Sequence, residues 1–248
     1  MFLRMAMLLV ATVLPGPPEE PLTVCAAVSL TESLEAAAKA YMIAGGGPVR
    51  FNFAGSNVLA RQLANGAPAD LFISADEAQM NLAAEAGAID RSTRVDLLAN
   101  RLAVIARSDR TELRDIRGLL GPDVRRVAIG DPAAVPAGVY ARQYLQAVGL
   151  WDALQSRLVP VGNVRAAVAA VENGSADAAI VYETDAAIAR RAVISFVVEG
   201  AGAPRIRYPA AVVAKSRHRE AAARFLVFLR GPQGAEIFRR YKFSPLAR

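Results

Sequence analysis

Five short, uncharged loop segments carry the groups of this sequence that are best suited to binding chemistry. They are residues 27–31, 54–57, 135–138, 162–164 and 181–182. Each stands where an apolar run with a strand pattern gives way to a helix pattern, and the first N–H groups of a helix lack an intrahelical partner. Because the helix dipole also favours negative charge at this end, the segments would form a site for a small oxyanion if they converge.

Three of the segments supply a hydroxyl group. Ser29 follows the first predicted strand, and Ser56 is predicted as the N-cap of the helix that comes after it. Tyr182 adds a phenolic donor. Taken singly, each also has an ordinary structural explanation, since the serines could simply cap helices and the tyrosine could be a core aromatic.

The other two segments supply backbone N–H groups. Pro136 marks a helix start, and Ala137 behind it has no large side chain to block its N–H. Asn163 is a candidate N-cap, which would leave the N–H of Val164 free to point at a ligand. Both features could equally serve helix initiation alone.

The residues that common catalytic and metal sites require are missing or isolated. His218 is the only histidine and stands in an arginine-rich run, where a solvated helix start is expected. Cys25 is the only cysteine, so an intrachain disulfide is impossible, and its apolar neighbours predict a buried strand residue without an activating base. The sequence therefore predicts a protein that is not an enzyme, with no cofactor and no direct protein–metal ligands.

Composition and charge narrow the fold and the partners. The chain has 248 residues, 54% of them apolar and only 6% aromatic, which favours helices packed on sheets. The net charge of +6 is concentrated in residues 205–248, where Glu220 and Glu236 are the only acidic residues. No aromatic residues are interleaved with these cations in a nucleic-acid-binding manner, so no nucleic-acid partner is predicted.

Residues 1–21 have the features of an export signal. Arg4 precedes an apolar run over residues 5–14, and a proline-rich stretch with two glutamates follows. The run is too short to span a bilayer, and it predicts export and a periplasmic location, although no clear cleavage site is present.

Apolar runs alternate with helical stretches in two series. The first has strands over 22–28, 49–54 and 70–74, with helices over 31–43, 58–64 and 77–85. The second has strands over 102–106, 127–129, 158–161, 178–181, 193–198 and 210–214, with helices over 139–148, 165–172, 219–229 and 234–241. Repeated β–α units predict an α/β fold with mixed, mostly parallel sheets, and two series without a flexible linker predict two lobes joined by crossing strands. Ligands of such sheets bind beyond the carboxyl ends of the strands, where all five segments fall.

Several blocks of the sequence resemble the periplasmic molybdate-binding proteins, the substrate-binding components of molybdate/tungstate ABC transporters. The blocks are residues 26–31, 54–63, 66–76, 130–140, 163–165, 180–182 and 229–238, in the family's order. The resemblance covers Leu22 to Phe243, and several long blocks in register are far more specific than a single short motif.

This resemblance implies a two-lobed periplasmic-binding-protein fold of type II with the ligand in the interlobe cleft. It implies one lobe over 22–99 plus 207–248, a second over 100–206, and a monomer that delivers molybdate or tungstate to a membrane permease. The family holds the anion through two serines, two backbone N–H groups and a tyrosine. The matching positions are Ser29, Ser56, Ala137, Val164 and Tyr182.

Two departures and one alternative accompany this interpretation. Gly55 and Asn57 flank Ser56, where the family usually has serine or threonine after the binding serine, so affinity or pocket size can differ. The alternative is a binding protein for sulfate, another oxyanion or a small organic acid. A carboxylate ligand would recruit an arginine fork, for which Arg61 and Arg165 are candidates, although solvated helix faces are expected for both.

Overall fold

The chain folds into two β-sheets, each flanked by helices. The structure is a computed structural model that describes residues 20–107 and 113–246, so the signal-like segment 1–21 lies outside the described residues except for its last two. The strands are β1 (Leu22–Ala27), β2 (Val49–Ala54), β3 (Leu71–Ile73), β4 (Val95–Asn100), β5 (Leu102–Arg107), β6 (Val127–Gly130), β7 (Leu158–Val161), β8 (Ala178–Tyr182), β9 (Ala192–Val197), β10 (Ile206–Val212) and β11 (Ser244–Pro245). The α-helices are α1 (Thr31–Ile43), α2 (Ser56–Ala64), α3 (Glu77–Glu85), α4 (Pro136–Ala147), α5 (Trp151–Leu154), α6 (Val164–Glu172), α7 (Glu183–Ala186), α8 (Arg219–Arg230) and α9 (Pro232–Arg240).

Both sheets are mixed. The first has the strand order β11-β4-β10-β3-β1-β2, with β1 parallel to β2 and β3 and with antiparallel pairing around β10 and β4. The second has the order β7-β6-β8-β5-β9, with β6 parallel to its two neighbours and β5 antiparallel to its own. The antiparallel share is larger than predicted, because the strands next to the crossings between the sheets run against the β–α units.

The chain crosses between the sheets through short connections. It passes from β4 to β5 at Arg101 and returns between Val197 and Ile206. We call the part built around the first sheet the first lobe and the part built around the second sheet the second lobe. Strand β4 was not predicted, because charged Asp96 interrupts its apolar pattern.

Local sequence signals explain most element boundaries. Helices α1 and α3 and strands β2 and β7 have the predicted bounds. Helix α4 begins at Pro136, which confirms the helix start predicted from this proline and not the start at 139 predicted from the apolar pattern. Strand β10 begins at Ile206 rather than at 210, and a register shift between Tyr208 and Pro209 accounts for the broken pattern.

The sheets form a rigid base for the loops at their edges. Val24, Leu71 and Ile73 in the first sheet and Val104 and Ile129 in the second are completely buried. Each such side chain stabilises the fold by about 1.5–3 kcal/mol. Within residues 20–107 and 113–246, no helix is both long and apolar enough to cross a membrane.

Candidate functional site

All five predicted site residues line one cavity between the two sheets. The cavity also contacts Ala75 and further residues of the same five segments. Its volume is about 20 Å³, slightly more than one water molecule needs, so the cavity is small. Among the described residues that line it, none carries a charged side chain.

Strand ends place these residues. The five segments lie at the carboxyl ends of β1 and β2 in the first sheet and of β6, β7 and β8 in the second, and Ala75 lies just after β3. The parallel strands β1, β2 and β3 end at one edge of their sheet, as do β6, β7 and β8. The two edges face each other across the cavity, so each lobe contributes half of the lining.

Three helices direct their N-termini at the cavity. Ser56 and Val164 are the first residues of α2 and α6, and Ala137 is the second residue of α4. N–H groups at these positions have no intrahelical acceptor. The Asn163 side chain accepts the N–H of Ala166 at 3.0 Å, which confirms it as the N-cap and leaves Val164 N–H for the cavity. Three positive helix ends therefore supply the attraction for an anion that no charged side chain supplies.

Ser56 does not have its predicted capping role. Gly55 occupies the N-cap position of α2, and no side chain caps that helix. The Ser56 Oγ instead accepts the N–H of Ala75 at 2.9 Å, and Ser56 is only 1% exposed. Because an oxygen lone pair is used in this bond, the hydroxyl hydrogen is left for the cavity.

Ser29 has a partner that the sequence analysis missed. Its Oγ lies 3.1 Å from the Oη of Tyr208 on β10, and Asn100 donates to the same phenol at 3.2 Å. Nothing in the sequence marks Tyr208, which is 179 positions from Ser29 and stands in a strand with an interrupted pattern. Only the pairing of β10 with β3 and β4 brings these groups together.

Tyr182 presents a buried hydroxyl without an internal partner. The residue is 1% exposed, and its Oη has no hydrogen bond to any residue that the structure describes. Burial raises the pKa of Tyr182 well above its ordinary value, so the phenol keeps its proton and acts as a donor. Leaving a buried hydroxyl unpaired costs about 1–3 kcal/mol, which a ligand acceptor would recover.

Acidic residues close to the segments in sequence are engaged elsewhere. Asp76 caps α3, Asp131 accepts the N–H of Ala133 at 2.9 Å, and Glu183 pairs with Arg101 at 2.9 Å. None of these three carboxylates lines the cavity. The lining described by the structure therefore offers donors and no carboxylate acceptor.

Arg165 connects the lobes, which corrects its predicted position on a solvated helix face. Its guanidinium donates to both carboxylate oxygens of Glu32 on α1, at 2.9 and 2.6 Å, and contacts buried Asp185 on α7. Burial acts to raise the pKa of Glu32, but the hydrogen bonds from Arg165, a backbone hydrogen bond and the Arg165 charge together outweigh it and hold that pKa below its ordinary value. Arg61 donates to the carbonyl of Asn57 at 3.0 Å. Neither arginine lines the cavity, so an arginine fork for a carboxylate ligand is not formed there.

His218 was predicted to be solvated, but its ring lies close to two carboxylates. Its Nδ1 lies 3.3 Å from Asp70 and its Nε2 lies 3.4 Å from Glu20. Ser216 is close by, but its hydroxyl donates to Asp70 at 2.7 Å rather than to the histidine. Cys25 is buried as predicted, and burial raises the pKa of its thiol. No group of three potential metal-binding residues occurs in the part of the chain that the structure covers.

Comparison with known proteins gives a consistent result. A family model for bacterial extracellular solute-binding proteins matches residues 22–244. The chain is 40% identical over 232 residues to the molybdate-binding protein ModA of Escherichia coli, which covers 91% of this chain and 90% of that protein. The solved periplasmic molybdate-binding protein of Azotobacter vinelandii superposes with a TM-score of 0.80 at 25% identity, over 92% of this chain and 100% of that one. The sulfate-binding protein SubI of Mycobacterium tuberculosis shares the fold, with a TM-score of 0.77 at 21% identity over 92% and 88% of the two chains. The predicted two-lobed binding-protein fold is thereby confirmed.

Proposed function

Because the chain belongs to the bacterial extracellular solute-binding protein family, we propose that it binds molybdate and tungstate for delivery to the permease of an ABC transporter. The observation that carries this proposal is the uncharged cavity, lined by hydroxyl and helix-start N–H donors and including the unpartnered Tyr182 phenol. Its relatives named for molybdate binding support the choice of ligand.

The chemistry of the lining fits a fully ionised tetrahedral dianion. Such an ion offers only acceptors, and hydrogen bonds to a charged acceptor are about twice as strong as neutral ones. Phosphate keeps a proton near neutral pH and would need an acceptor in the site, which the described lining does not offer as a carboxylate. Sulfate is an equally charged but smaller ion, so its exclusion depends on hydrogen bonds that become too long.

Lobe closure is the proposed binding mechanism. Ser29 and Ser56 belong to the first lobe, whereas Ala137, Val164 and Tyr182 belong to the second. An anion that touches both stabilises the closed arrangement by its differential affinity for that state. The lobes proposed to move are residues 22–99 with 207–248 and residues 100–206, and the closed form is the one that the permease would recognise.

The biological setting follows from this role. A supplier of an ABC permease acts outside the cytoplasmic membrane, and the signal-like segment 1–21 supports export to the periplasm. We also infer a monomer that binds no nucleic acid, needs no cofactor and catalyses no reaction. Molybdenum would be held through its oxo groups by Ser29, Ser56, Ala137, Val164 and Tyr182, without direct protein–metal bonds.

Thermal unfolding with a panel of oxyanions tests the proposal. At about 100 times its dissociation constant, a ligand adds roughly 2.7 kcal/mol, which raises the Tm by about 5–10 °C in a chain of this size. We expect this shift with molybdate and tungstate and a smaller one or none with sulfate and phosphate, and we expect Ser56→Ala to reduce it. No shift with either metal oxyanion would contradict the proposal, and a shift with sulfate alone would identify a sulfate-binding protein.

A further inference from the structure

Behind Ser29 lies a chain of buried hydrogen-bonding side chains that does not itself touch the cavity. The Ser29 Oγ is 3.1 Å from the Tyr208 Oη, which is 3.2 Å from the Asn100 Nδ2. Exposure is 4% for Ser29, 0% for Tyr208 and 8% for Asn100, so water does not compete effectively for these bonds. Neither Tyr208 nor Asn100 lines the cavity. We call Asn100, Tyr208 and Ser29 the relay.

The Asn100 end of the relay has a fixed hydrogen-bond direction, which favours Tyr208 as the donor to Ser29. The Asn100 Oδ1 accepts the backbone N–H of Arg101 at 2.8 Å, and a backbone amide cannot accept in return. The amide nitrogen of Asn100 must therefore face the other way, where it donates to Thr184 at 2.9 Å and to Tyr208. The Tyr208 oxygen accepts this bond, so its single hydrogen is available for Ser29.

If Tyr208 donates this bond, the Ser29 oxygen accepts it, and the Ser29 hydrogen is left for an acceptor in the cavity that the residue lines. Burial raises the pKa of Tyr208, so the phenol does not lose the proton on which this arrangement depends.

The Ser56 oxygen also accepts an internal hydrogen bond, although from a backbone group. It accepts the N–H of Ala75, a group that is a donor under all conditions. Each serine oxygen thus already has one internal partner before any ligand is considered. A ligand hydrogen would have to use the remaining lone pair of the serine and would leave the serine hydrogen without an acceptor, whereas a ligand oxygen accepts that hydrogen.

We propose that Tyr208, oriented by Asn100, is a positioning residue that fixes the Ser29 hydroxyl as a donor and restricts the cavity to oxyanions that carry no proton. This inference rests on the proposed oxyanion-binding function and adds a specificity determinant to it. Discrimination against hydrogen phosphate then depends on a residue outside the cavity, as well as on the lack of a carboxylate in the described lining.

Tyr208→Phe is the decisive variant. It removes the phenolic oxygen and keeps the ring, which makes edge-on contacts with Tyr182 at 5.8 Å and with Phe243 at 5.4 Å between centroids. In the variant, Asn100 retains its bond to Thr184, and the Ser29 hydroxyl becomes free to rotate. We expect the Kd for molybdate to rise about tenfold and the Kd for hydrogen phosphate to rise less or to fall. The ratio of the phosphate Kd to the molybdate Kd should therefore decrease.

Calorimetric titration of wild type, Tyr208→Phe and the control Tyr144→Phe with molybdate and with phosphate at pH 8 measures these ratios. The control changes a buried tyrosine of α4 that does not line the cavity, and we expect it to leave the ratio unchanged. Equal weakening of both ligands by Tyr208→Phe would show a merely structural role and overturn the inference, as would an unchanged molybdate affinity.

A second variant guards against a misfolded Tyr208→Phe protein. Asn100→Asp places an acceptor beside the Tyr208 oxygen, so the phenol hydrogen turns away from Ser29. The Ser29 hydroxyl must then donate to the Tyr208 oxygen, away from the cavity. We expect this change to weaken molybdate binding and to narrow the ratio to phosphate, and an unchanged ratio contradicts the inference. If wild type binds sulfate and not molybdate, the proposed function fails, but the ratio of sulfate to phosphate still tests the relay.

Discussion

Tyr182→Phe should change stability and ligand affinity in opposite directions. The phenol of Tyr182 lies in the cavity lining, is 1% exposed and has no partner among the described residues. In the closed arrangement without a ligand, this hydroxyl is a desolvated donor with no partner among the described residues. With an oxyanion in the cavity, the same hydroxyl would form a hydrogen bond to a charged acceptor.

The two magnitudes follow from these environments. Removing an unpaired buried hydroxyl should raise the unfolding free energy of the ligand-free protein by about 1 kcal/mol. Losing a hydrogen bond to a charged group costs about 1.5–3 kcal/mol, which raises the Kd for molybdate roughly 10- to 150-fold. The ring stays, so its edge-on contact with Tyr208 is retained.

Urea unfolding without ligand and calorimetric titration with molybdate measure the two effects on the same preparations. Tyr41→Phe is the matched control, because this buried tyrosine packs on Phe225 and Phe228 in the first lobe and does not line the cavity. A Tyr182→Phe protein that is less stable without ligand and binds molybdate as tightly as wild type would refute the reasoning, since the phenol would then be a structural group.

Three further changes test the surroundings of the cavity. Glu32→Gln weakens the ion pair that joins the lobes beside the site, and we expect ligand release in stopped-flow measurements to become about fivefold faster, whereas an unchanged rate would show that the pair does not hold the closed state. Gly138→Ala places a Cβ in steric overlap with the carbonyl oxygen of Gly130, so urea unfolding should show a loss of about 1–3 kcal/mol, opposite in sign to the gain usual for Gly to Ala in a helix. Burial raises the pKa of Asp76 from 3.8 to about 6, so the folded state holds a proton that the unfolded state has released. As the pH rises from about 4 to about 6, the unfolding free energy of wild type should therefore fall relative to that of Asp76→Asn, a variant that keeps a capping side chain. Parallel pH profiles of the two proteins would contradict this assignment.

The sequence predicts those parts of the site that depend on local structure. Ala137 and Val164 are placed by helix starts, and Pro136 and Asn163 mark those starts in the sequence. The convergence of the segments follows from the rule that parallel strands end at one edge of a sheet. The apolar runs and helices alternate in two separate series, and these two series predict the two lobes.

The remaining features depend on contacts between distant residues. Ser56 resembles an N-cap in sequence, but its hydroxyl bonds to Ala75 across 19 positions, and only the approach of the start of α2 to the loop after β3 decides this. Arg165 looks like a residue on a solvated helix face until Glu32 on the opposite lobe is placed beside it. Tyr208 gains its role from the antiparallel pairing of β10, a strand that its own sequence pattern marks only in part. Side-chain partners of this kind leave no periodic signal.

The position of molybdenum in crystals of the protein with molybdate would show whether the cavity between the lobes is the binding site. The anomalous scattering of the metal locates it without any assumption about the protein. We predict one strong peak between the hydroxyls of Ser29, Ser56 and Tyr182, with oxo groups about 2.7–3.0 Å from these oxygens and from the N–H groups of Ala137 and Val164. A peak outside this cavity, or a metal bound directly to a protein side chain, would contradict it.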